Sequence, residues 1–112
     1  MLRCAGIVYK FLRPVEYFET HPNWKLRMSR GEWLDEIRRR VDVSHRCPLL
    51  NPLLFCEACN VVVSRFVDGC RPTPDELQAV CEVTDRWRIG DVSETNCLIT
   101  PAGPVVVDWV MR

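Results

Sequence analysis

At 112 residues, 47% hydrophobic and 27% charged with no net charge, the chain has the composition of one folded domain with a small core, not of a disordered segment. No run approaches the length of a membrane span, and the N-terminal stretch MLRCAGIVYKFLRP, broken by Lys10 and Arg13, lacks a signal-peptide core. Seven cysteines are many for this length, but the odd count argues against a secreted disulfide scaffold and for a reducing, intracellular setting (cytoplasm or nucleus) where clustered thiols bind metal.

In chain order, residues 4–12 (CAGIVYKFL) read as one strand, ended by Arg13-Pro14. Residues 15–24 read as a short helix or irregular turn closed at His21-Pro22, because a residue before proline avoids helical geometry. Ser29 and Glu32 have capping-box spacing, which predicts a helix to about Val41 with Trp33, Leu34, Ile37 and Val41 on its apolar stripe. Pro48 and Pro52 keep the next stretch out of helix, and NVVVSRFV (60–67) reads as a strand turned by Asp68-Gly69. Thr73-Pro74-Asp75-Glu76 is the strongest helix start: a threonine cap, proline in the first turn, and acids near the positive end of the dipole. Leu77, Val80, Cys81, Thr84 and Trp87 share that helix's apolar face, and Trp33 and Trp87 are expected in the core. CLIT-PAGP-VVVDWV reads as a closing hairpin. The expectation is a single α+β domain over 1–112, with two amphipathic helices, short antiparallel strands and a zinc-knuckle-stapled loop region.

The chemistry is concentrated between His45 and Cys70. Cys56 and Cys59 form a C-x-x-C pair that can clasp one metal from a tight turn, followed by the β-branched run Val61 to Val63. Cys47 upstream and Cys70 downstream offer two more thiolates, and His45 offers an imidazole instead. A closed four-ligand zinc site is structural, and replacing Cys59 is then expected to unfold the protein. The competing reading is that free cysteines are good core residues, which suits Cys4, Cys81 and Cys97 best.

Charge is unevenly spread: residues 1–46 carry ten Lys/Arg and six Asp/Glu, whereas 68–112 carry four and eight. Such polarity can steer an anionic partner or align two copies, or the halves can neutralise one another within the fold. Lys25, Arg27, Arg38, Arg39 and Arg40 form a basic group which, with Trp24, could contact RNA phosphates and stack on a base. Arginines at the end of a helix also complement its dipole, and Glu32, Asp35, Glu36 and Asp42 dilute the field. Tyr17, Phe18 and Trp24 are candidates for an exposed patch that meets a protein partner.

The zinc-deaminase pattern, the H-E-x-x-H helix, the P-loop and the G-x-S-x-G elbow are all absent from the sequence, so an enzyme is not expected. In composition and in its Cys56/Cys59 knuckle the chain is similar to the short cysteine-rich accessory proteins of RNA viruses, including plant-virus suppressors of RNA silencing. That resemblance implies a compact regulatory protein that binds host factors or RNA, and it assigns no role to any further residue. The sequence therefore predicts a small zinc-binding protein that works by binding a protein partner or RNA, does not engage membrane, and can form a homodimer. The alternative is a metal-free thiol protein that responds to redox conditions.

Overall fold

The computed structural model describes residues 2–4, 6–11 and 30–112. Ten elements follow in chain order: β1 (Leu2–Cys4), β2 (Ile7–Phe11), α1 (Arg30–Arg46), β3 (Leu53–Cys56), β4 (Val61–Arg65), α2 (Pro74–Arg86), β5 (Ile89–Gly90), β6 (Cys97–Thr100), β7 (Gly103–Val106) and β8 (Val110–Met111). The α+β expectation holds, with two helices and short antiparallel strands. The single strand expected over 4–12 is instead a hairpin, β1 against β2, because Gly6 adopts a left-handed φ of 76° and reverses the chain. Residues 15–24 and the Ser29 cap lie outside the described residues.

Helix α1 is held from both sides. Ile37 and Ser44 are buried on its inner face, with Trp33 and Val41 half-buried beside them. Its outer face is laced by ion pairs of helical spacing: Asp35–Arg38, Glu36–Arg39, Glu36–Arg40 and Asp42–Arg46. The helix runs past Val41 to Arg46, and Pro48 is what stops it. At its end the Ser44 hydroxyl donates to the Val41 carbonyl (2.7 Å) and accepts from the Leu53 amide (2.9 Å). The His45 Nε2 donates to the Leu53 carbonyl at 2.8 Å. Both outward-facing backbone groups of Leu53 are thus satisfied by α1, which ties the helix to an edge strand.

That strand belongs to an antiparallel sheet of order β1-β2-β4-β3. Its register places Val8, Lys10, Leu53, Phe55, Val62 and Ser64 on one face, and Tyr9, Phe11, Leu54, Cys56, Val61 and Val63 on the other.

Helix α2 starts as its sequence predicts. The Thr73 Oγ1 accepts from the Glu76 amide (3.2 Å), and the Glu76 carboxylate accepts from the Thr73 amide (2.9 Å). It ends at Arg86 with Trp87 as its C-cap, and Arg88, at a φ of 57°, turns the chain away from the helical path. Trp87 sits at this frayed end and is 36% exposed, which corrects its expected core role.

The core comprises Cys47, Leu50, Val80, Ile89, Cys97, Val106 and Trp109. The β6–β7 hairpin is its organiser, paired to other segments along both edges. On one edge Ile99 exchanges backbone hydrogen bonds with Cys70 (2.8 and 3.0 Å). On the other, the Val106 amide donates to Leu49 (2.7 Å) and its carbonyl accepts from Asn51 (3.1 Å). Gly69 permits the first contact, since a Cβ there would lie 2.7 Å from the Ile99 carbonyl oxygen.

Replacing the buried Ser44 by Ala leaves the part-buried Leu53 amide without its acceptor and is expected to cost about 1–3 kcal/mol. Thr73→Ala removes a solvent-exposed cap and is expected to cost about 1 kcal/mol. Urea unfolding of both variants checks the ranking, which an equal or inverted pair of losses would contradict.

Candidate metal centre at the β3–β4 turn

Cys56 is the last residue of β3 and pairs with Val61, the first of β4, so four residues, Glu57 to Asn60, form the turn. The Asn60 amide closes it onto the Glu57 carbonyl at 3.2 Å, and Asn60 itself takes a left-handed φ of 53°, which asparagine tolerates better than most residues. Arg38 pins the tip to α1 through a 2.9 Å ion pair with the Glu57 carboxylate. Cys59 is exposed and Cys56 half-buried.

This turn brings the two thiols together. The Cys56 sulfur accepts hydrogen bonds from the Cys59 side chain and from the backbone amides of Cys59 and Ala58, which hold the Cys56 thiol below its usual pKa. The hydrogen bond to Cys56 and the charge on that sulfur push the Cys59 thiol the other way, upward. Two thiols three residues apart on one turn could supply two of the four ligands that a tetrahedral thiolate site requires.

The other expected ligands are placed elsewhere. Cys47 is 2% exposed and packs in the core with Leu50 and Val106. Cys70 is exposed and bonded through its backbone to β6. His45 commits its Nε2 to the Leu53 carbonyl. Among the described residues, no three His, Cys, Asp or Glu side chains gather to hold a metal ion, so the four-ligand staple is not assembled within these parts of the chain.

The basic group is neutralised where it is described. Arg38 engages both Asp35 and Glu57, while Arg39 and Arg40 lie against Glu36 at 2.9 and 3.8 Å. Lys25 and Arg27 lie outside the described residues, as do Tyr17, Phe18 and Trp24. No described helix is long and apolar enough to cross a membrane.

Two features were not anticipated from sequence. One is a cleft of about 280 Å³ between α1 and the sheet, with Trp33, Val62, Ser64 and Trp109 in its walls and Lys10 and Arg40 among its lining. It suits a small apolar or aromatic group with negative charge. The other is the exposure of Phe11 (64%) and Leu54 (62%) on the sheet face that carries Cys56. No alternation marked the second in advance, because β2 (IVYKF) and β3 (LLFC) are apolar almost throughout.

Among the described thiols Cys47 and Cys97 are buried, Cys56 and Cys81 half-buried, and Cys59 and Cys70 exposed. Cys97 is fully enclosed and its thiol is raised, chiefly by burial, with smaller contributions from Cys81 and Glu76. Alkylation of the native, reduced, metal-free protein is expected to modify Cys59 and Cys70 first. Cys47 and Cys97 should react only on unfolding. Peptide mapping reads the order, and early modification of Cys47 would contradict its place in the core.

No protein-family model, curated protein or solved structure matches this chain.

Proposed function

We propose that this chain is a small zinc-binding protein that acts by binding another macromolecule, with Cys56 and Cys59 as its metal-holding pair. The observation that carries this reading is the four-residue turn between Cys56 and Val61, closed by the Asn60 amide on the Glu57 carbonyl, which places two thiols on one short connection with Cys59 exposed to solvent. Zinc favours such a pair because its thiolate bonds need no particular d-electron geometry, only ligands that can close on it. Bound zinc would fix the turn and the surface around it. A protein partner fits better than RNA: Phe11 and Leu54 expose apolar area near the turn, whereas Arg38 and Arg39 are engaged by carboxylates. Where the partner is RNA, Arg38 to Arg40 would have to exchange those carboxylates for phosphates. As an intracellular regulatory protein, a chain of this kind would work by occupying its target without transforming it.

A second reading uses the same adjacency of sulfurs. Without metal, Cys56 and Cys59 could close as a reversible disulfide and make the turn responsive to redox conditions.

Zinc content after purification under reducing conditions separates the two readings. Tight zinc that is lost in the Cys56→Ser/Cys59→Ser variant, with circular dichroism unchanged, is the expected result. The unchanged spectrum follows from the position of the turn, which lies away from the core around Cys47 and Val106. It replaces the expectation that loss of Cys59 unfolds the chain. Wild-type protein that takes up no zinc would overturn the metal reading.

A further inference from the structure

The turn supplies two sulfurs, and a closed zinc site takes four ligands. We propose that the missing two come from a second copy of this chain, so that one zinc is held between two β3–β4 turns by Cys56 and Cys59 of each. This inference rests on the zinc reading and adds the partner to it.

Three observations support it. First, among the described residues no third ligand gathers at the turn: Cys47 is enclosed in the core, the Cys70 backbone is paired with β6, and His45 Nε2 donates to Leu53. Second, the turn can approach its own twin. Glu57, Ala58 and Cys59 are all exposed, Ala58 adds little bulk between the cysteines, and the Glu57 charge is already compensated by Arg38. A two-fold axis through the metal relates one pair of thiolates to the other and is compatible with tetrahedral coordination. Third, the surface beside the sulfurs is apolar. Cys56 shares a sheet face with Leu54, two residues earlier on β3, and the Cys56–Val61 rung continues to Phe11 on β2. Leu54 and Phe11 are 62% and 64% exposed, which leaves apolar area beside the sulfurs for a second copy to cover.

The chemistry balances without any redox partner. Four thiols and one Zn²⁺ give a tetrathiolate centre of net charge −2 and release four protons, and the oxidation state of zinc does not change.

Native mass spectrometry of the full-length reduced protein, with and without chelator, tests the proposal. The expected species is two chains with one zinc, which a chelator converts to metal-free monomers that keep their circular dichroism. The Cys56→Ser/Cys59→Ser variant should remain monomeric and metal-free. Leu54→Asp should retain the ligands but weaken the zinc-dependent dimer about tenfold or more. Monomers carrying one zinc each would overturn the bridge and leave the zinc reading intact. Protein without zinc would remove both. A dimer that survives chelation, or one indifferent to loss of the cysteines, would also overturn the bridge.

Discussion

The rest of the structure hangs on the pairing of β6 and β7 along both of their edges. Ile99 directs its amide and carbonyl to Cys70, and Val106 directs its own to Leu49 and Asn51. The hairpin is therefore the centre of a four-segment arrangement, although only two of those segments are regular strands. With these backbone groups satisfied internally, Val106 and Cys97 face each other, both with 0% exposure, and the core condenses around them. The turn that follows α1 delivers Cys47 and Leu50 to that core, and α2 delivers Val80. Trp109 closes it from the segment beyond β7.

The metal-candidate turn stands apart from this centre. Its link is the double clasp of Ser44 and His45 on Leu53, reinforced at the tip by Arg38 and Glu57. The division has a physical basis. A buried thiol such as Cys97 is kept protonated by its surroundings and packs as a small apolar group. At the turn Cys56 is instead lowered by the hydrogen bonds of Cys59 and Ala58, while its neighbour Cys59 is raised. Seven cysteines in one short chain thus need not serve one purpose.

Signals that depend on neighbouring residues were readable in the sequence. The Thr73/Glu76 cap, the β4 run, the closing hairpin and the C-x-x-C turn all formed where local chemistry placed them. Failures arose where a distant contact or a single backbone angle decided the outcome. Gly6 split a promising strand into two, and the pull of Leu53 on Ser44 and His45 favours a helix that continues past Val41. Trp87 fell on the right helical face but at a position where the helix had already ended, so it stayed exposed while Trp109 was buried. Cys47 shows the limit most clearly, because its spacing to Cys56 says nothing about the core residues that surround it.

The contact between Leu50 and Val106 also dictates an order of events during synthesis. Among the described elements, α1, α2 and the β3–β4 hairpin all precede the β6–β7 hairpin that completes the core. The centre can close only once the segment through Trp109 is available. Until then Cys47 and Leu50, just beyond α1, and Val80 on α2 lack their partners in the core, and apolar surface left open in this way favours aggregation. Turnover and solubility in the cell would therefore depend on the final stretch of the core arriving intact, more than on the stability of any helix.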